Sequence, residues 1–123
     1  KTVRVWSARS GREQWVGKHA GYVYACAFTP DCRRTISASG DRTARVWSAK
    51  KGECLHVLTA ASALLTCSLS EPAGLLLCAG FHGAVHLWDA RAFGAAPPVN
   101  CEGHGAEVRC AEFSSGGRNV LTA

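Results

Sequence analysis

The sequence predicts an all-β fold built from four-stranded antiparallel units, and three observations carry the prediction. The stretch TVRVWSARSG at Thr2–Gly11 returns as TARVWSAKKG at Thr43–Gly52 and as AVHLWDARAFG at Ala84–Gly94, so Trp6, Trp47 and Trp88 stand 41 residues apart. A second track agrees with the first: HAGYVYACAF, ending at Phe28, matches ASALLTCSL, ending at Leu69, and HGAEVRCAEF, ending at Phe113. Its spacings are 41 and 44, and the three extra residues fit the Ala- and Pro-rich loop AFGAAPPVN. Between these anchors lie short β-rich runs cut by turn residues, and four strands in roughly 40 residues is the period of a propeller blade.

Within the first complete period each element has a local cause. YVYACAF is apolar and rich in aromatic and β-branched residues, as strands are, and TPDCRR supplies the Pro and Asp of a turn. TISAS forms a second strand, and Gly40-Asp41 turns the chain again. ARVW then alternates with period two, which puts Ala44 and Val46 on one face and Arg45 and Trp47 on the other. SAKKG is a further turn, and ECLHVL is the fourth strand. ECLHVLTAASALLTCSLSE, Glu53 to Glu71, has the Ala and Leu content of a helix. The alternation at Leu65, Cys67 and Leu69 and the repeat register both favour a strand, a loop and a strand there.

The register divides the chain into one region with four parts. Residues 1–17 supply the third and fourth strands of one repeat, the first of them Thr2–Ser7. A full repeat covers 18–58, a degenerate full repeat covers 59–102, and 103–123 supplies the first two strands of another, the last of them Asn119–Ala123. Twelve strands amount to three blades, whereas closed propellers have about four to eight. With no Met in the chain, the expectation is an excised arc completed by blades of a parent chain or of other copies.

Composition narrows the function classes. Hydrophobic residues make up 47% and charged residues 19%, a globular balance rather than a disordered one. The longest Gly- and Pro-free stretch, Glu53–Glu71, is too polar to span a bilayer, so no membrane role is expected. Seven cysteines without a CxxC pair do not form the even set of a secreted disulfide framework, and they favour an intracellular compartment. The net charge of +5 is uneven: residues 1–51 hold 11 Lys or Arg against 3 acids, and residues 52–123 hold 3 against 6. No GxSxG, P-loop, HExxH or GxGxxG occurs, so no catalytic residue and no cofactor is expected. Cys78, His82 and His86 have the residue types of a zinc site, yet they flank a turn without a fourth ligand, and no metal is expected.

These motifs resemble the WD-repeat β-propeller family over essentially the whole chain. That family carries a Gly-His near the start of the repeat, an Asp in the turn between its second and third strands, and a Trp-Asp at the end of the third strand. Here the matching residues are His19, Asp41 and Trp47-Ser48, then Gly103-His104, while Trp88-Asp89 keeps the literal dipeptide. The resemblance implies a hydrogen-bonded chain in which Asp41 accepts from His19, His19 contacts Ser37 and Ser37 meets the Trp47 indole. By register it extends to His104 and Thr122 and to Trp6 and Trp88. In the degenerate repeat Ala60, Cys78 and His82 replace the His, Ser and Asp.

The resemblance also implies a non-enzymatic scaffold that presents loop residues to partner proteins. Contact positions three and five residues after the repeat's His, and one before its Asp, are Tyr22, Tyr24 and Gly40, then Ala63, Leu65 and Phe81, then Glu107 and Arg109. The alternative is binding of nucleic acid or of an acidic partner through the basic half, carried by Arg4, Arg9, Arg12, Arg42 and Arg45.

Overall fold

The computed structural model describes residues 1–123 as twelve short strands and one three-residue 3-10 turn. In chain order the strands are β1 (Thr2–Trp6), β2 (Glu13–Lys18), β3 (Val23–Phe28), β4 (Arg34–Ser39), β5 (Thr43–Ser48) and β6 (Cys54–Thr59). They continue as β7 (Leu64–Ser70), β8 (Leu75–Gly80), β9 (Val85–Asp89), β10 (Val99–Cys101), β11 (Ala111–Phe113) and β12 (Val120–Thr122). All pairings are antiparallel and join sequence neighbours, giving sheets β1-β2, β3-β4-β5-β6, β7-β8-β9-β10 and β11-β12. The four sheets are the blades of a partial propeller arc, and they do not close into a ring.

The register that the repeats require is the register observed. Ser37 faces Arg45, and Cys78 faces His86, at equivalent places of the two complete sheets. The helix-prone stretch Glu53–Glu71 is two strands around the turn Ala60–Ala63. Propensity loses there because both strands are completed by hydrogen bonds to their sheets and by packing, which outweigh the few tenths of a kcal/mol per residue that Ala and Leu favour. The end strands are shorter than the sequence suggests. Ser7 has already entered a turn, donating to the Arg12 carbonyl at 2.9 Å, and Asn119 turns back on Ser114, whose amide donates to its carbonyl at 2.9 Å.

Burial follows position in the blade. Five of the six residues of β4, and five of the six of β8, are buried, since a central strand is covered on both faces by neighbouring sheets. One core joins the two complete sheets through Ile36, Val46 and Leu58 on one side and Leu64, Leu76 and Trp88 on the other. A second lies between the third and fourth sheets around Leu77, Val85 and Val108. A third joins the first sheet to the second through Val3, Val5, Trp15 and Trp47. Up-and-down connection sorts the loops into two ends. The turns after odd-numbered strands share the lower end, and the links after even-numbered strands share the upper end.

Candidate partner-binding end

At the upper end, residues from three successive sheets come together. Tyr22 and Tyr24 are 67% and 51% exposed, with ring centroids 6.5 Å apart. The Tyr22 carbonyl accepts from the Gly40 amide at 2.8 Å and from the Ser39 hydroxyl at 2.9 Å, which ties the entry of β3 to the end of β4. A Cβ on Gly40 would stand 3.1 Å from the Tyr24 ring, so the missing side chain gives that ring its place. In the next sheet the Phe81 amide donates to the Ala63 carbonyl at 3.0 Å, and the Phe81 carbonyl accepts from the Ser62 hydroxyl at 2.8 Å. A side chain on Gly80 would collide with the Ala63 backbone, so this close approach depends on glycine.

The third contribution precedes β11. The Val108 amide donates to the Gly80 carbonyl at 2.8 Å, which seats Glu107 and Arg109 beside Phe81. Arg109 Nε donates to the Glu107 carboxylate at 2.9 Å, so these two charges partly satisfy each other. Tyr24, Leu65, Phe81, Glu107 and Arg109 line one groove of about 340 Å³. Tyr22 stands beside it against Tyr24, while Gly40 and Ala63 contribute backbone. Aromatic rings around a single charged pair suit the capture of a protein segment: such side chains give large contact area at low entropy cost.

Beneath this surface the second sheet is tied by a chain of hydrogen bonds. Trp47 Nε1–H donates to the Ser37 hydroxyl at 2.9 Å, and that hydroxyl lies 2.7 Å from His19 Nε2. His19 Nδ1 lies 2.9 Å from Asp41, which also accepts from the Ala20 amide at 3.0 Å and from the Thr43 hydroxyl at 2.6 Å. Every group is satisfied if the imidazole is neutral, with Nδ1–H donating to the carboxylate and Nε2 accepting from Ser37. Burial lowers the His19 pKa, and the opposing hydrogen bond and charge of Asp41 do not overcome it. Burial acts on the Asp41 carboxyl in the raising direction, but the bonds from Thr43, His19 and the Ala20 amide outweigh it and hold the group well below the usual carboxylate range.

Other residues that the register groups with this chain stand apart from it. His104 Nε2 lies 2.8 Å from the Thr122 hydroxyl, repeating the His19–Ser37 contact in an exposed setting. Trp6 is 53% exposed and Trp88 is buried, and neither indole makes a hydrogen bond like that of Trp47. The physical reasons differ. Trp6 stands on β1, which pairs with β2 alone, whereas Trp88 has beside it, on β8 of its own sheet, the Cys78 thiol, a weak acceptor, where β4 offers a hydroxyl. Trp88 is held instead by packing, with the His86 ring 5.3 Å away. Cys78 and His86 are cross-strand partners, His86 is engaged by Asn100 at 2.6 Å, and His82 stands exposed in the turn. Of the five basic residues named above, Arg4 is paired with Glu13 and Arg45 lies over the Trp47 ring.

Two supporting residues escaped the sequence reading. Trp15 stacks on Trp47 and donates Nε1–H to the Ala49 carbonyl at 2.8 Å. Gly17 lies flat under the same indole, where a Cβ would stand 2.8 Å from it. The signal was present: Trp15 and His56 occupy the same register position, and His56 packs on Phe93 at 5.5 Å.

Comparison with known proteins agrees with this geometry. The family described as WD domain, G-beta repeat matches residues 13–48, which hold His19, Ser37, Asp41 and Trp47. Apoptotic protease-activating factor 1 of Rattus norvegicus is 32% identical over 90 residues, which cover 72% of this chain and 7% of that protein. By its 41-residue period, its four-stranded sheets and these two matches, the chain belongs to the WD-repeat family.

Proposed function

We infer that this chain is a protein-interaction scaffold that grips a partner at the upper end of its blades and carries out no chemistry of its own. WD repeats in general mediate protein–protein interaction. The observation that supports this assignment is the groove that takes one aromatic from each complete sheet, Tyr24 and Phe81, together with Arg109 of the fourth. Anchors drawn from separate sheets and fixed by backbone bonds are pre-organised, so little ordering cost falls on binding. Of the repeat divisions 1–17, 18–58, 59–102 and 103–123, the last three each carry one set of contact residues.

The test is capture of partner proteins by the full-length protein carrying Tyr22→Ala, Phe81→Ala and Arg109→Ala together, beside its melting curve. Truncating anchors of this type weakens an interface by about 2 kcal/mol or more. Exposed substitutions shift folding by within roughly 0.5 kcal/mol. Undiminished capture by a variant that melts normally would refute the assignment.

A further inference from the structure

The lower end of the blades holds a second candidate surface. Its six turns and the strand residues that flank them carry eight Lys or Arg and five acids. Four of those acids are engaged within the chain. Glu13 pairs with Arg4, Glu53 lies 3.8 Å from Lys51, and Asp89 accepts from the Arg91 amide at 2.8 Å. Asp31 accepts from the Thr29 hydroxyl at 2.5 Å and from the Arg33 amide at 3.0 Å, and these bonds hold its carboxyl below the ordinary value. Of the eight cations only Lys51 belongs to an ion pair. Asp31 and Asp89 keep their charge because their donors are neutral, so eight cations against five acids leave this end a surplus of three positive charges.

A pocket of about 190 Å³ opens there between the second and third blades, among the turns after β3, β7 and β9. Leu69, Ala90 and Phe93 give it an apolar floor, and Arg34 and Arg91 border it together with the carboxylates of Asp31 and Glu71. The Arg34 guanidinium lies 5.9 Å from the Phe93 ring centroid, and Arg91 lies across Gly74. A guanidinium stacked on a ring is less free to move and presents its donors in a fixed plane. Sites for drug-sized molecules run to roughly 300–1,000 Å³, so this volume suits one or two peptide side chains. From it a shallower groove of about 290 Å³ continues past Ser70 and Pro72 to Phe113 on the fourth sheet.

The geometry points to a second docking site here, for an extended acidic segment of a partner protein. An apolar side chain of the segment enters over Leu69 and Phe93, and flanking carboxylates meet Arg34 and Arg91 in charge-assisted hydrogen bonds. Asp31 and Glu71, both exposed at the rim, oppose such a segment and limit its strength; Asp31 is tied to its own turn, whereas Glu71 has no side-chain partner in the chain.

The experiment uses the full-length protein and a fluorescein-labelled Asp-Leu-Asp-Glu-Phe-Glu peptide, read by anisotropy at physiological salt. Its Asn/Gln analogue, polyglutamate and a single-stranded uridine oligonucleotide are run beside it. Arg34→Gln with Arg91→Gln weakens peptide binding by roughly tenfold or more while the melting curve holds. Glu71→Gln tightens binding, and Arg109→Gln at the opposite end leaves it unchanged, which keeps this site separate from the upper groove. No binding by the unaltered protein would overturn the site. So would equal binding by the double arginine variant, or binding of polyglutamate or the oligonucleotide as tight as that of the peptide.

Discussion

Trp15 of the first sheet stacks on Trp47 of the second, with ring centroids 6.2 Å apart and planes 29° apart. The contact exists because Gly17, two residues along the same strand, leaves room for the indole. His19 closes the other side, edge-on to Trp47 at 5.8 Å. One stretch, Trp15 to His19, therefore grips the tryptophan of the neighbouring sheet from three positions, and it joins packing between sheets to hydrogen bonding within one.

Filling that space should be costly. Gly17→Ala would put a methyl group 2.8 Å from the Trp47 ring. Overpacking of this kind costs about 1–3 kcal/mol. Chemical denaturation of the full-length protein checks it, and an unchanged midpoint would show that the two sheets can separate without loss.

The hydrogen-bonded chain should matter more than the literal Trp-Asp dipeptide. Ser37→Ala or Asp41→Ala leaves a buried partner unsatisfied, at about 1–3 kcal/mol each. Asp89 is exposed and accepts one bond from the Arg91 amide. Asp89→Ala should cost no more than about 1 kcal/mol, the usual size of one hydrogen bond. Equal melting shifts for all three variants would remove the special role of the chain.

Acid should weaken the fold in two stages. The folded His19 has a pKa below its ordinary 6.5, so the unfolded chain binds a proton first and stability falls as pH drops below about 6.5. The Asp41 carboxyl is held below its ordinary 3.8, so its contribution is present above that value and is lost as pH falls through the folded pKa. His19→Gln has no imidazole to protonate and should flatten the first stage. Melting temperatures measured across that range test this, and an unaltered slope in the variant would contradict it.

The seven thiols should differ sharply in reactivity. Burial pushes the Cys67 thiol up to about 12, with the nearby Cys26 adding to the effect, and burial raises Cys78 as well. Cys26, Cys32, Cys54 and Cys110 are exposed. Alkylation of the folded protein at mildly alkaline pH should modify these four and spare Cys67 and Cys78, because the thiolate is the reacting species. Peptide mapping that found Cys78 modified early would show that the third sheet opens readily.

The fold was legible because identical side chains recur at fixed separations: three tryptophans 41 residues apart set the register, and the register set the strand pairing. Strand ends were less legible, since at Ser7 and Asn119 a turn competes with one more ladder bond. At the upper end, side-chain type and register suggested Tyr24 and Phe81, but nothing in the residues announced that Ala63 and Gly40 act through backbone. Trp15 and Gly17 were overlooked because their partner lies in another sheet, and a period within a repeat carries no direct sign of contacts between repeats. The lower pocket was hidden for the same reason, its walls coming from three turns far apart in the chain.

The exposures of the four tryptophans, 53% for Trp6, 9% for Trp15 and 3% each for Trp47 and Trp88, have a spectroscopic consequence. Trp6 should emit to the red and be quenched readily by iodide, whereas Trp47 and Trp88 should emit to the blue and stay shielded. Because these fluorophores sit in three successive sheets, quenching during denaturation would distinguish a blade that peels away from an arc that melts as one.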